Sequence, residues 1–179
     1  MDLFRGLDRL PEQGGGTRPV AGDAWRTCQA GGFTKTPPQT PVRDQTKAQA
    51  LGAFLAAGRK HDANLFLQYQ GEDWTYNQFF NAVDQACDWL VNKAQIQKGD
   101  PIAIAMRNRP EWLVAFVATV TIGAVAVPLN SWGKAQELTQ GLEDSKAKLV
   151  FCDSDRLTFI RELNTELPAV VVDESEDRQ

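Results

Sequence analysis

One histidine and three cysteines are all that this 179-residue chain offers of the side chains most often found on transition metals. His61 lies in an Arg59-Lys60-His61-Asp62 stretch with no second histidine and no nucleophile beside it, so a triad or a metal site has no support and a solvated turn residue is expected. Cys28, Cys87 and Cys152 lie far apart with no CxxC spacing, which excludes a zinc ribbon. Three reduced, buried or half-buried thiols in a cytoplasmic protein fit this usage better than a disulfide framework. Phosphate-loop signatures are also missing: neither GxGxxG nor GxxxxGK(S/T) occurs. Gly14-Gly15-Gly16-Thr17 imitates one superficially, but no strand precedes it and Arg18-Pro19 follows where a lysine and a helix should begin, so it reads as a linker. Excess positive charge is absent as well. Lys plus Arg number 19 against 23 Asp plus Glu, a net charge of −4 that gives no electrostatic reason to expect nucleic acid. The first ten residues mix acids into any leader-like region and lack an apolar core, so secretion is not expected.

What is present is an ordinary globular composition, 42% apolar and 23% charged, long enough to bury a core without staples. Residues 1–43, punctuated by Gly14 to Gly16, Gly31-Gly32, Pro37-Pro38 and Pro41, read as an extended arm. Residues 44–173 read as one α/β unit, and 174–179 as an acidic tail.

One stretch poses a membrane question, because Trp112 to Leu129 carries no charge and reaches spanning length. Gly123 interrupts it, and Val125-Ala126-Val127 before Pro128 is β-branched. The stretch therefore splits into a helix of about three turns and a short buried strand, the form expected in a parallel sheet covered on both faces; no transmembrane segment is expected.

The remaining elements follow from spacing. From Asp44, Ala48, Leu51 and Leu55 at three- and four-residue spacing suggest a short helix that ends near Gly58. Asn64 to Gln70 is a strand, and Gly71-Glu72-Asp73 turns it into Trp74-Thr75. Thr75 and Gln78 form a capping box. The helix it starts has Phe79, Phe80, Val83, Ala86, Cys87, Leu90 and Val91 on one stripe and Asp84, Gln85, Asp88 and Asn92 opposite. Lys98-Gly99-Asp100-Pro101 is a turn into a covered strand, Ile102 to Met106. Asn108 is expected to cap the next helix, with Pro110 and Glu111 in its first turn. A helix from Lys134 to Glu143 buries Ala135, Leu138 and Leu142. Lys148 to Cys152 is a strand, Asp153 or Ser154 caps a helix carrying Leu157, Ile160, Leu163 and Leu167, and Ala169 to Val172 is the last strand. Short apolar strands alternating with helices imply right-handed crossovers and a doubly wound, mainly parallel sheet with flanking helices.

Such a fold does not name a reaction. Acid pairs such as Glu143 with Asp144, and Asp153 with Asp155, stand at helix ends where capping accounts for them. Spacing alone exposes no catalytic constellation.

Several motifs in order do resemble one family. Trp74-Thr75-Tyr76-Asn77-Gln78-Phe79 looks like the first block of the adenylate-forming acyl-activating enzymes, which include acyl-CoA synthetases, peptide-synthetase adenylation domains and luciferases. Lys98-Gly99-Asp100 before an apolar strand, then Asn108-Arg109-Pro110-Glu111-Trp112, is similar to the acyl-CoA synthetase version. Ile122-Gly123-Ala124-Val125-Ala126-Val127-Pro128-Leu129-Asn130 matches the second block, and Asp144-Ser145-Lys146-Ala147-Lys148 before an apolar strand resembles the helix and strand that follow. The likeness runs from about residue 45 to residue 172.

The resemblance implies the N-terminal subdomain of the acyl-adenylate-forming fold. It also implies a two-step reaction, in which a carboxylic acid, most readily a fatty acid, is activated by ATP with Mg²⁺ and then transferred to coenzyme A. In the family, charge is handled by a Ser/Thr/Gly-rich loop ending in Pro-Lys-Gly, a later Thr-Glu pair, an aspartate on the ribose and a lysine in a C-terminal domain. This chain stops before all of them, so no catalytic residue and no metal ligand is carried over, and ligand-contacting residues stay unassigned. The chain alone is expected to be inactive and to hold no ATP, Mg²⁺ or coenzyme A. Asn130, Ser131 and Trp132 would sit at the carboxyl rim of the sheet, where an acyl or coenzyme A channel could be lined, although packing and capping explain them as well. Apolar surface meant for the rest of such an enzyme would favour association. Two rival readings are a stand-alone nucleotide- or partner-binding α/β module and a membrane-associated protein using residues 112–129.

Overall fold

Buried side chains on both faces of two central strands dictate the architecture. The computed structural model describes residues 51–162 and 166–172. Within them α1 (Leu51–Ala56) runs into a 3₁₀ turn (Ala57–His61), followed by β1 (Leu65–Tyr69), β2 (Glu72–Thr75) and α2 (Tyr76–Asn92). Then come β3 (Pro101–Ala105), α3 (Pro110–Thr121), β4 (Val125–Pro128), α4 (Ala135–Ser145), β5 (Leu149–Cys152), α5 (Ser154–Glu162) and β6 (Ala169–Val171).

β3 to β6 form one parallel sheet in the order β4-β3-β5-β6. Alternate residues of the strands point to opposite sides. Ile102, Ile104, Leu149, Phe151 and Val170 join one core with α2 and α3, whereas Ala103, Ala105, Val150 and Cys152 join a second with Leu138 and Leu142 of α4 and Ile160 of α5. The sheet is thus covered on both faces along β3 and β5, whereas β4, expected as a buried strand, has no buried residue and leaves Val125 exposed, because it stands at the sheet's edge. The chain winds outward from β3 to β4, then crosses back to β5 and on to β6, so its winding direction reverses between β3 and β5.

The apolar stretch bends where its glycine falls. Gly123 takes φ 78° and its amide donates to the Val120 carbonyl at 3.2 Å, while the Ala124 amide reaches Thr119 at 3.1 Å. This pair of bonds is a Schellman closure of α3. Among the described residues no helix is long and apolar enough to cross a membrane.

The hairpin lies outside the main sheet and packs on α2 through Phe66, 4.7 Å from both Tyr76 and Phe79. Its turn is Gln70-Gly71, at φ 50° and 85°, so Glu72 and Asp73 belong to β2 rather than to the turn. Two consecutive positive φ values suit a tight two-residue connection. The capping box forms as expected, the Gln78 amide donating to Thr75 Oγ1 at 3.2 Å and the Thr75 amide to Gln78 Oε1 at 2.8 Å.

Other details of the elements go beyond the spacing or correct it. Leu51 is exposed and Leu55 half-buried, and the buried residue of α1 is Gly52. A Cβ there would lie 3.1 Å from the Thr121 Cα and the Val120 oxygen, so a side chain would press on the backbone of α3 where the helices cross. The helical path also continues past Gly58, as 3₁₀, to His61. Asn108 does not cap α3: Arg109 holds the cap position, extended at φ −158°, because Pro110 at the first turn excludes helical backbone in the residue before it. α4 begins at Ala135, with no side-chain cap, and Leu167 lies beyond α5, half-buried against the second core. Leu163, Ala48, Cys28, the Gly14 to Gly16 linker, the arm over 1–43 and the acidic tail fall outside the described residues.

Candidate functional site

In open α/β sheets the crevice for ligands lies outside the carboxyl ends of the strands, at the point where the winding reverses. Here that point lies between β3 and β5. The segments leaving their carboxyl ends are Met106 to Arg109 and Asp153 with Ser154, and the loop after β4, Leu129 to Lys134, stands beside them.

Asp153 organises the rim. It is buried and accepts the Arg107 amide at 3.1 Å on one oxygen and the Arg156 amide at 3.0 Å on the other. The second bond caps α5, as the sequence suggests; the first ties β3 to β5 beyond the last ladder pair. Arg156, also buried, returns its guanidinium to both Asp153 oxygens at 3.2 and 3.3 Å. Its Nε and Nη2 donate to the Ser131 carbonyl at 2.9 and 2.7 Å. A planar fork suits this two-sided task, since one guanidinium meets a carboxylate with Nη1 and a carbonyl with its Nε–Nη2 edge.

Arg107 sends its guanidinium to the β4 loop, where its carbon lies 3.1 Å from the centroid of the Trp132 ring. Nη1 of Arg107 is buried without a hydrogen-bond acceptor among the described residues. Trp132 is 80% exposed. Asn130 shapes the loop, accepting the Trp132 amide at its side chain at 3.1 Å and the Gly133 amide at its carbonyl at 3.0 Å. Arg109 closes the far side: its Nε meets Glu111 at 3.0 Å and its Nη1 donates to the Val172 carbonyl at 3.0 Å, fastening the start of α3 to the end of β6.

The rim therefore assembles cationic and aromatic groups, not an acid-base pair. Of the residues considered from sequence, Asn130, Ser131 and Trp132 do meet here. His61 does not: it is exposed on the 3₁₀ turn with its ring 4.8 Å from Tyr76. Glu143 and Asp144 lie exposed on the last turns of α4. Arg107 and Arg156 escaped the reading of spacing. Their signals were present, a charged residue directly after a buried strand and an arginine three residues beyond a capping aspartate.

Comparison with known proteins matches residues 54–179 to the family model described as AMP-binding enzyme. The chain is 36% identical over 87 residues, 49% of its length, to the 2-succinylbenzoate–CoA ligase of Bacillus velezensis, covering 18% of that protein. It is 26% identical over 121 residues, 68% of its length, to the medium/long-chain-fatty-acid–CoA ligase FadD6 of Mycobacterium tuberculosis, covering 20% of it. Among solved structures, the anthranilate CoA ligase AuaEII in complex with anthranoyl-AMP superposes on 69% of this chain with a TM-score of 0.63 at 23% identity, over 25% of its own length. That last likeness is one of fold. The chain spans about a fifth of the length of the curated relatives it matches.

Proposed function

The chain belongs to the AMP-binding enzyme family, and on that premise we propose that it forms the N-terminal part of an acyl-CoA synthetase. The reaction proposed joins a carboxylic acid, with fatty acids the first to test, to coenzyme A. A carboxylate oxygen attacks the α-phosphorus of ATP, pyrophosphate leaves with Mg²⁺ assistance, and the coenzyme A thiolate then attacks the acyl carbonyl and releases AMP. The observation that carries this reading is that the family match includes the entire sheet together with its switch-point rim.

Relatives named as CoA ligases for fatty acids, 2-succinylbenzoate and oxalate support the reaction class and leave the acid open. This chain's share is the scaffold of the rim, with Asn130, Ser131 and Trp132 lining an acyl or coenzyme A entrance. Adenylation itself is left to segments beyond it, so the 179 residues alone are expected to be inactive, to bind none of ATP, Mg²⁺ and coenzyme A tightly, and to act within a cytoplasmic enzyme.

The test is acid-dependent AMP release and thioester formation by the intact gene product containing this chain, given ATP, Mg²⁺, coenzyme A and a panel of aliphatic and aromatic acids. Failure with every acid would sink the reading. Tight binding of ATP or coenzyme A by the 179 residues alone would favour a stand-alone binding module instead.

A further inference from the structure

Burial does not explain where Trp132 sits. A large aromatic left 80% exposed gains little from the hydrophobic effect, yet its ring lies 3.1 Å from the Arg107 guanidinium. A cation over an indole face is attractive, provided both partners are delivered to the same place. Both are delivered by one ion pair. Asp153 fixes the backbone of Arg107 through its amide, and Arg156, bonded to the same carboxylate, fixes the backbone of the β4 loop through the carbonyl of Ser131, the neighbour of Trp132. Arg156 is itself buried and so has little freedom to move.

We propose that Arg156 is a positioning residue that holds Trp132 and Arg107 together as one preformed face at the switch point. Whether that face serves a synthetase rests on the preceding reading; the positioning does not. Removing the Arg156 fork leaves the Ser131 carbonyl without its two donors, frees the loop, and takes the indole off Arg107. The buried Nη1 of Arg107 makes the arrangement consequential, because a desolvated donor with no acceptor among the described residues is open to an oxygen brought by a ligand.

The 179-residue chain itself provides the test. Emission from Trp132 is isolated as the difference between each protein and its W132F counterpart, in the unaltered chain and in R107M, R156M and the double variant. R107M defines the signal lost when the contact is absent. R156M is expected to lose the same signal, and the double variant to lose no more, since the two residues act on one contact. R156K keeps the charge but not the planar fork and falls between R156M and the unaltered chain. An unchanged Trp132 signal in R156M, or losses that sum in the double variant, overturns the proposal. Should R156M not unfold cooperatively, R156K decides, and an unaltered Trp132 signal there overturns it equally. None of these readouts needs turnover, so failure of the intact gene product to release AMP would remove the synthetase reading and leave the positioning untouched.

Discussion

The Gly99 amide donates to the Gly123 carbonyl at 2.9 Å, joining the turn that enters β3 to the turn that leaves α3. Both glycines are left-handed, at φ 88° and 78°. Their surroundings differ. A Cβ on Gly99 would meet nothing within 4 Å, whereas one on Gly123 would lie 3.1 Å from Lys98 Cγ. G99A is therefore expected to cost the backbone strain alone, about 1 kcal/mol, and G123A strain plus displacement of Lys98, about 2 to 3 kcal/mol. Urea midpoints of the two variants check the order. Equal losses would mean that the Lys98 stem yields freely.

The bend at Gly123 also marks what was legible in advance. Glycine inside an apolar run, followed by β-branched residues and proline, has few structural outcomes, and the helix, left-handed turn and strand follow from backbone sterics. The apolar strands and the α2 stripe were legible for the same reason, because periodicity records burial directly. The rim was not. Arg156 gains its meaning from a carbonyl 25 residues earlier, and Arg107 from Asp153, 46 residues later, contacts that no local spacing encodes. Gly52 was missed similarly: its burial follows from how closely α1 crosses α3, a tertiary relation. Asn108 failed as a cap through a local rule given too little weight, the restriction that Pro110 places on Arg109.

Acid sensitivity is expected at the amino ends of the two central strands, opposite the rim. Burial acts to raise the Asp100 pKa, but the Lys148 ammonium at 2.7 Å and the Gln97 amide at 2.9 Å outweigh it and hold the carboxyl below its ordinary value. A depressed folded-state pKa contributes stability that is present above the unfolded value, about pH 4, and is lost as pH falls through the folded value. Urea unfolding measured downward from pH 6 should show this loss in the unaltered chain and a shallower one in D100N. Parallel curves would show that Asp100 contributes nothing to acid unfolding.

Thr75 links the hairpin to α2, since it ends β2 and caps the helix at once. T75A removes the acceptor of the Gln78 amide and is expected to cost about 1 kcal/mol. T75S, which keeps an oxygen in place, should recover most of it. Thermal unfolding of the pair separates the cap from the lost methyl group: a T75S protein as weak as T75A would assign the loss to packing.

A stabilising change is available where α4 ends. Lys146 adopts φ 52° and ψ 39°, and its amide and that of Ala147 close the helix onto the Glu143 and Leu142 carbonyls at 3.1 and 3.4 Å. A left-handed residue after a helix is the position where glycine escapes the Cβ conflict. Two effects oppose each other in K146G, relief of that conflict and the larger backbone entropy of glycine in the unfolded chain. Because the strain term is the larger, the net expectation is a gain of about 0.5 to 1 kcal/mol. The side chain is exposed and so brings little packing to lose. A rise in the urea midpoint without a change in slope would establish the gain, and a fall would mean that Lys146 makes an interaction in the folded chain worth more than the strain of its backbone.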